Sequence, residues 1–531
     1  MQVTNPPLLL GCINTRPALS MKQLCARSES ARKFALIILT SLASLLPASA
    51  FAAANYYVSK TGADTNPGTE QQPWLTIQHA ANVVAPGSTV YVHAGTYQER
   101  VNINVSGNSQ DGSITFCNYP GETPILDGSS LVAPTSDNGM FFISNQNYIV
   151  INGFQIQNYG TGHAQVFPMG ILVEGACSYI QLLNNTVRNI YTTAEKQGGG
   201  AQGIAAYGTS AATPVNHLTI SGNTLYGLRT GSSESMTVNG NVQYFTISNN
   251  VVHDNDNIGI DAIGYERTAP NSNVDRARNG IISGNLVYHI TSAQNPNYNG
   301  QLGADGIYVD GGTEIVIEQN VVYNADIGIE AASEHHNRVS SYVTIRNNLI
   351  YGSYIMGVSI GGYNNSVGGT DHCTIVNNTL YLNDSTQSGS GEFSINYHTT
   401  NNVFENNILF ANAQGLLIGN TIQTANGPGV SANYNLYYST VGNTNSQWIW
   451  NNHTYTGLAA FVRATQNDLN SQFADPDFVG AATNNFHLTS SSPALKKGLL
   501  LSSSIVGTQD LDGNPRVLNE TIDLGCYEMP Q

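Results

Sequence analysis

The stretch GIYVDGGTEIVIEQNVVY at residues 306–323 holds three short runs of β-branched and aromatic residues, separated by glycine or asparagine. Runs like the second one, which closes at Asn320, recur along the chain, and 27 to 38 residues separate successive closing asparagines. The closing asparagines are Asn185, Asn223, Asn250, Asn285, Asn320, Asn348, Asn378 and Asn407. About three strands per repeat, without a helical pattern, are typical of a solenoid in which each coil pairs only with its neighbours. The sequence therefore predicts an all-β fold, a right-handed parallel β-helix.

The asparagines are expected to stack at one turn of successive coils. We attribute them to a turn position that favours a residue tolerant of the left-handed backbone conformation, with a side chain that hydrogen-bonds locally. Glycine, present 53 times, fits tight corners that recur with each coil.

The N-terminus has the pattern of an export signal. Basic residues precede an apolar run from Phe34 to Leu46, and small residues follow it. We expect residues 1–54 to be a signal peptide cleaved between Ala50 and Asn55, with Met21 as an alternative start. The run is too short to span a membrane, so the predicted location of the mature chain is secreted or periplasmic.

The mature chain is divided by its sequence pattern into three parts. Residues 55–135 form an N-terminal region in which an amphipathic helix from Ile77 to Val84 caps the first coil and shields its edge. Residues 136–440 form the β-helix core, and residues 441–531 form a loop-rich closing segment. A capped solenoid of this kind is expected to be a monomer.

Charge and cysteine content narrow the functional classes. The first 54 residues hold five of the 19 basic and one of the 35 acidic residues, which leaves a net charge of about −20. Such a charge argues against nucleic acid and against anionic lipid as partners. Four cysteines remain without a metal-ligand spacing and predict buried thiols or one disulfide. They are Cys117, Cys177, Cys373 and Cys526.

Strands that begin with glycine can be aligned on that residue. Positions one and three after the glycine are apolar or small, so positions two and four should point away from the core. This register places Asp310 and Glu330 diagonally on adjacent coils, with carboxyl groups ~5 to 9 Å apart. Glycosidases use pairs of acids at such separations, and crowding raises the pKa of one of them. The alternative is that both acids are solvated surface groups.

Further polar residues cluster near this acid pair in the same register. The expected substrate-binding residues are Asp261, Glu266, Arg267, Tyr308, Glu334 and His335. Loops near residues 192–202 and 264–304 are expected to shape a cleft. The stretch from His253 to Asn257 offers oxygen ligands for a calcium ion, with ordinary turn chemistry as the alternative.

The two ends and the laddered coils together resemble secreted right-handed β-helix proteins that include the family 9 pectate lyases. The resemblance rests on the opening from Tyr56 to Tyr97 and the closing stretch from Asp523 to Glu528. It implies calcium held by an aspartate cluster and a lysine base. In the matching strands, Asp261 fits the aspartate cluster, but Tyr308 stands where the lysine would be. No lysine occurs between Lys196 and Lys496, so a lyase would need another base, such as Arg267, Arg338, a histidine or Tyr308.

A second resemblance is to β-helical glycoside hydrolases such as the family 120 β-xylosidases. These place an aspartate on one coil and a glutamate about one coil later, and Asp310 and Glu330 are similar in position. The resemblance implies Asp310 as nucleophile or base and Glu330 as proton donor.

Three functions are consistent with the sequence, and each has a polysaccharide or oligosaccharide as the partner. A glycoside hydrolase would use Asp310 and Glu330 and no cofactor. A polysaccharide lyase would use Ca²⁺ held by Asp256 and Asp261 to neutralise a uronate carboxylate. A non-catalytic binding protein would stack sugars on exposed tyrosines.

Overall fold

The computed structural model describes residues 53–134 and 139–530, and residues 50–531 form one compact unit. The predicted signal peptide and the alternative start at Met21 lie outside the described residues, apart from residues 53 and 54. In the described part of the chain, no helix is long and apolar enough to cross a membrane.

Three long sheets, here called I, II and III, make up the fold. Sheet I contains β1 (Asn55–Val58), β2 (Thr89–Val92), β5 (Ile114–Asn118), β8 (Asn147–Asn152), β11 (Ser178–Leu183), β14 (Val215–Ser221), β17 (Val242–Gln243), β18 (Thr246–Ser248), β21 (Arg278–Ser283), β24 (Thr313–Glu318), β27 (Val339–Ser341), β28 (Thr344–Arg346), β31 (Gly369–Asp371), β32 (Thr374–Val376), β35 (Thr399–Thr400), β36 (Asn402–Glu405) and β39 (Val430–Asn433). Sheet II contains β4 (Val101–Ile103), β7 (Gly139–Ser144), β10 (Met169–Glu174), β13 (Gln202–Gly208), β16 (Met236–Gly240), β20 (Ile260–Ile263), β23 (Asp305–Asp310), β26 (Ile327–Ala332), β30 (Met356–Ile360), β34 (Phe393–Ile395), β38 (Leu416–Gly419), β41 (Gln447–Trp450) and β42 (His453–Thr456). Sheet III contains β3 (Gly95–Tyr97), β6 (Pro124–Asp127), β9 (Gln155–Thr161), β12 (Thr186–Thr192), β15 (Thr224–Tyr226), β19 (Val251–Asn255), β22 (Leu286–Ile290), β25 (Val321–Ala325), β29 (Leu349–Tyr351), β33 (Thr379–Tyr381), β37 (Ile408–Ala411), β40 (Leu436–Ser439) and β43 (Gln472–Phe473).

One coil visits sheets II, I and III in turn, as β23, β24 and β25 show, and β26 then begins the next coil. Strands of successive coils pair in parallel, and the antiparallel hairpin of β41 and β42 follows the last coils. The predicted right-handed parallel β-helix with about three strands per coil is confirmed. Strands of all three sheets already occur between residues 55 and 135, so the coils begin ahead of the predicted boundary at residue 136.

The closing asparagines form a continuous buried ladder between sheets I and III. Asn320 donates from Nδ2 to Asn348 Oδ1 at 3.0 Å and to the Ile282 carbonyl at 2.9 Å, and its own Oδ1 accepts from Asn285. The stacking and the hydrogen-bonding role of the asparagine side chains are confirmed, but the expected left-handed backbone at the ladder position is wrong. The left-handed residue is the one before the ladder asparagine, such as Gln319 with φ 56°. Asparagine is therefore required by its buried hydrogen bonds and not by its backbone conformation.

Helices close the solenoid at its ends. Helix α1 (Ile77–Val83) begins at the cap Thr76, whose side chain accepts from the His79 N–H. Its Gln78 side chain both accepts from and donates to the backbone of Asn102 in β4, the first strand of sheet II. The expected capping helix is thus present, and it satisfies backbone groups of an edge strand. Helix α2 (Leu458–Thr465) packs Phe461 on Trp448 of β41, with ring centroids 5.8 Å apart.

The closing segment is loop-rich and runs back over the outside of the coils. It contains the hairpin of β44 (Phe478–Gly480) and β45 (Asn485–Leu488), helix α3 (Ser503–Val506) and a 3₁₀ turn at Ala481–Thr483. Asn347 and Asn377, which precede ladder asparagines, donate to its carbonyls at Val506 and Asp523. The other 3₁₀ turns are Glu195–Gln197 and Ser292–Gln294.

All four cysteines of residues 55–530 are free and buried, so the buried-thiol alternative holds and the disulfide alternative does not. Burial raises the pKa of Cys117 and Cys177 to about 11 and that of Cys373 and Cys526 to about 12.

Replacing Asn320 by alanine should destabilise the fold by about 2 to 4 kcal/mol, because buried groups of Ile282, Asn285 and Asn348 would lose their partners. The measurement is the shift of the urea unfolding midpoint. Asn426→Ala, at an exposed loop position, is the matched control and should shift the midpoint little. Equal shifts in the two variants would contradict a stabilising role for the ladder.

Candidate functional site

The outer face of sheet II gathers acids from neighbouring strands. Asp261, Tyr308 and Glu330 lie side by side in β20, β23 and β26, because these strands pair in register at those residues. Asp310 pairs with Ala332 and is therefore the diagonal neighbour of Glu330. Parallel strands lie ~4.8 Å apart, so this face holds its acids within reach of one sugar unit. We call these residues, with Asp305 and Glu234 introduced below, the acidic face.

The acids point away from the core, as the register predicted, but they are not solvated. Asp261, Asp310 and Glu330 are only 2%, 4% and 9% exposed. Burial raises the pKa of Glu330 to about 7. Burial, and then the charge of Glu334, raises the pKa of Asp310 well above its usual value. The alternative of two solvated surface acids therefore does not hold.

Hydrogen bonds fix the orientation of the two central carboxyl groups. Ser359 of β30 donates from its hydroxyl to Glu330 Oε1 at 2.6 Å. The Glu334 N–H donates to Asp310 Oδ1 at 2.7 Å. Each of these hydrogen bonds favours the ionised form of the carboxyl group that accepts it and opposes the effect of burial.

Asp305 and Glu234 belong to the acidic face but were missed by the sequence register. A Cβ on Gly306 would lie 2.5 Å from the core side chain of Val322, so the glycine itself faces inward next to the inward-facing Ile307. The strict alternation is interrupted there, and Asp305 lies on the outer face although counting places it inside. Counting forward from each glycine could not reveal it.

Asp305 is hydrogen-bonded to Glu330. Burial, followed by the charge of Glu330 and this hydrogen bond, raises the pKa of Asp305 well above its usual value, whereas the same bond lowers that of Glu330. Asp305 is therefore the protonated donor when Glu330 is ionised. Glu234, which accepts from Gln202 Nε2 at 2.9 Å, has a pKa raised to about 7 by burial and then by Glu266.

A loop from residue 292 to residue 304 closes over part of the acidic face. Asp326 holds both ends of the loop, since its Oδ2 accepts from the N–H groups of Ser292 and Gly303 at 2.8 and 2.9 Å. Within the loop, burial, together with the smaller effect of the nearby charges of Glu234 and Asp305, raises the pKa of Tyr298 to about 12. Tyr298 was not predicted, because sequence alone does not show where a loop tip lies.

Several buried polar atoms on this face have no hydrogen-bond partner among the described residues. They are Thr237 Oγ1, Asp261 Oδ1, Asp305 Oδ1 and His335 Nε2. An unpaired buried polar atom is costly, at ~1 to 3 kcal/mol each, and is rare in native proteins. A ligand rich in hydroxyl groups would satisfy several of them at once.

The other predicted binding residues lie along one side of the acidic face. Glu266 Oε2 accepts from Asn239 Nδ2 at 2.8 Å, and the charge of Glu266 contributes, after burial, to the raised pKa of Glu334. Arg267 and His335 line a cleft of about 450 Å³ next to these acids. The structure thus brings together all six predicted substrate-binding residues and both predicted catalytic residues.

Asp256 is not part of this group. It lies in the turn after β19, where it accepts from the Thr230 N–H at 2.7 Å, and burial raises its pKa to about 6. Asn257 donates to the backbone of Gly231 and Ser233, so hydrogen bonds of a turn occupy this stretch. Within residues 53–134 and 139–530, no group of three or more His, Cys, Asp or Glu side chains is arranged to hold a metal ion.

Comparison with known proteins places the chain among its relatives. It is 38% identical over 439 residues to the uncharacterized protein YwoF of Bacillus subtilis, and the match covers 82% of this chain and 91% of YwoF. The chain belongs to the YwoF family. Residues 56–210 also match the model described as the Pel9A-like, right handed beta helix region.

More distant relatives of this YwoF family member carry names of carbohydrate enzymes. Pectate lyase PEL9 of Emericella nidulans is 28% identical over 178 residues, which is 31% of this chain and 40% of that protein. The solved structure of XylC with xylose superposes with a TM-score of 0.56 at 11% identity, covering 89% of this chain and 98% of that one. The XylC comparison shows that the β-helix fold is shared.

Because the pKa of Glu330 is raised in the folded state, the free energy of unfolding should depend on pH. Between pH 4.5 and about 7 the folded state keeps a proton on Glu330 that the unfolded state has lost, so stability falls as the pH rises through this window. The contribution of this group is about 3 kcal/mol.

In Glu330→Gln the fall in unfolding free energy between pH 4.5 and 8 should be smaller than in the wild type by about that amount. Urea unfolding at a series of pH values measures it, and Glu314→Gln, at an exposed glutamate, controls for the substitution itself. An equal fall in wild type and Glu330→Gln would show that Glu330 does not hold its proton in the folded state.

Proposed function

We propose that the chain is a carbohydrate-active enzyme that hydrolyses glycosidic bonds with Asp310 and Glu330. The observation that carries the proposal is the pair of buried carboxyl groups at diagonal positions of β23 and β26, both with raised pKa. Acid pairs on one face of a rigid sheet, flanked by tyrosine and further polar groups, meet the needs of glycoside cleavage.

Glu330 is the proton donor in this proposal. With a pKa of about 7 it holds its proton in neutral and mildly acidic solution and can transfer it to the leaving glycosidic oxygen. The bond from the anomeric carbon to that oxygen breaks, and the anomeric carbon then bonds either to Asp310 or to the oxygen of water. In the first case water, which gives a proton back to Glu330, breaks the bond to Asp310 and supplies the new hydroxyl group; in the second, Asp310 takes the proton of the attacking water.

Asp310 is the nucleophile or the base. Burial and then the charge of Glu334 raise its pKa, and the Glu334 N–H at 2.7 Å opposes this shift by stabilising the carboxylate form in which Asp310 would act. Diagonal neighbours on adjacent strands have Cα atoms ~7 to 8 Å apart. From Cα atoms at that distance the side chains can bring their carboxyl groups either to the closer separation of retaining enzymes or to the wider one of inverting enzymes, so either stereochemical outcome fits. Tyr308, beside Glu330, and Asp261, next in the same row, position the sugar.

The names of the relatives support a saccharide substrate. Proteins named as pectate lyases share 28% and 25% identity with about a third of this chain, and XylC was solved with xylose. The N-terminal export signal predicted above supports a secreted or periplasmic location, where a polysaccharide would be met. We propose that the mature chain acts there as a monomer and without a cofactor.

A calcium-dependent lyase is the second candidate, because of the pectate lyase relatives. It would place Ca²⁺ near Asp256 and Asp261, and a base other than lysine would abstract the proton beside the uronate carboxylate. The separation of Asp256 from the acidic face and the lack of lysine between Lys196 and Lys496 favour the hydrolase.

Assays on a polysaccharide panel should yield new reducing ends without ultraviolet-absorbing products, with or without chelator. Asp310→Asn and Glu330→Gln should each lower kcat at least about 100-fold, since each removes an acid–base or nucleophilic group. In the wild type, hydrolysis should decline as the pH rises through about 7, because Glu330 then loses the proton it donates.

Glu314→Gln, at an exposed glutamate, is the control and should keep full activity. Ultraviolet-absorbing products that disappear with chelator would establish the lyase instead. Binding without cleavage of any polymer in the panel would establish a binding protein.

A further inference from the structure

A cleft of about 450 Å³ lies beside the acidic face and has a basic lining. Its lining residues are Tyr265, Arg267, Ala269, Pro270, Ser272, Asp275, His335, His336 and Arg338. It directly adjoins the proposed catalytic acids, because His335 follows Glu334, whose N–H bonds to Asp310. The cleft also borders the strand end after Asp310, since Gly311 bridges to Ile263 just ahead of Tyr265.

One wall of the cleft is a loop held in an uncommon backbone conformation. Tyr265 and Arg267 have φ angles of 70° and 67°, in the left-handed region that non-glycine residues rarely adopt. Asp275 fixes this conformation, as its two oxygens accept from the N–H groups of Arg267 and Ala269 at 2.7 and 2.8 Å. Such strain persists only where surrounding contacts impose it, and it is concentrated at functional sites.

Two arginine side chains around this loop contact the same aromatic side chain, that of Tyr265. Arg338 lies over the Tyr265 ring with 4.8 Å between its Cζ and the centroid, and Arg276 donates from NH1 to the Tyr265 hydroxyl at 2.8 Å. The ion pairs found among the described residues involve none of Arg267, Arg276 and Arg338. Unpaired arginines stand out in a chain with 35 acidic and 19 basic residues.

Two buried nitrogen atoms of this region also lack hydrogen-bond partners among the described residues. They are Arg276 Nε and His335 Nε2. The only carboxylate in the lining, that of Asp275, already accepts two backbone N–H groups. The cleft therefore offers several unused donors and positive charge, and it has room for one sugar ring.

We infer that this cleft binds an oxyanion substituent of the sugar, a carboxylate or a sulfate ester. Guanidinium groups match the planar, multidentate geometry of oxyanions better than any other side chain. A negatively charged ring held by Arg267 and Arg338 lies next to Asp310, so the cleft selects acidic sugars at the reacting end. The inference rests on the proposed function only in that the ligand is a saccharide.

Binding of small glycosides to the Asp310→Asn variant tests the inference without turnover. The probes are the methyl glycosides of glucuronic acid, galacturonic acid and galactose 6-sulfate, with those of glucose and galactose as neutral counterparts. Calorimetric titration at low salt should give an affinity at least about tenfold higher for acidic than for neutral probes. Arg338→Gln should remove that preference, whereas Arg463→Gln, on the distant helix α2, should retain it.

Binding of the two uronates would identify the substituent as a carboxylate, and binding of the sulfated galactoside would identify it as a sulfate ester. Equal binding of neutral and acidic probes, or a preference that survives Arg338→Gln and Arg267→Gln, would overturn the inference. Neither result would bear on the proposed hydrolysis, which is judged by the release of reducing ends from any polymer in the panel, acidic or neutral. A preference for acidic probes that depends on Arg338, without hydrolysis of any polymer, would support the inferred oxyanion site and contradict the proposed hydrolase function.

Discussion

The buried asparagine ladder is the interaction on which the rest of the molecule depends. Each rung joins the side chain of one coil to the side chain and backbone of the next, as Asn285, Asn320 and Asn348 do. This fixes the register of successive coils. A shift by one residue in a β-strand turns every side chain to the opposite face, so Asp261, Tyr308 and Glu330 form a row only while the ladder holds. The acidic face is therefore a product of coil register more than of any single loop.

The same face stores unfavourable electrostatic energy. Burial raises the pKa of Asp261, Asp305, Asp310 and Glu330, so each carboxyl group is less easily ionised in the fold than in water. The parallel sheets tolerate this cost because their backbone pairing and the continuous apolar core stabilise the fold along its whole length. Buried, poorly ionised carboxyl groups destabilise a fold, and such departures from stable packing are expected at functional sites.

Much of the fold could be predicted from the sequence, because each coil repeats the same pattern of short strands, inward-facing apolar residues and a closing asparagine. The spacing of asparagines gave the solenoid, and alternation placed Asp310 and Glu330 on one outer face. Alternation could not reveal Asp305, because Gly306 turns inward beside Ile307 and breaks the period of two. Nor could it reveal the burial of the acids, which depends on loop tips such as Tyr298 that follow no repeat.

The basic cleft is a second feature that the sequence pattern could not reveal in full. Arg267 and His335 were assigned to the site for their closeness in sequence to acids, but the stacking of Arg338 on Tyr265 joins loops more than 70 residues apart. Long-range contacts between irregular segments carry no periodic signal, so only the three-dimensional structure reveals them.

The four sequestered thiols have a bearing on how the chain matures. With pKa values near 11 to 12 and with little or no exposure to solvent, they have almost no thiolate at neutral pH and are poor partners for oxidants or disulfide exchange. The coils are held by hydrogen bonds and packing alone. Once formed, the fold does not depend on a disulfide among the described residues, so its stability should be the same under reducing and oxidising conditions.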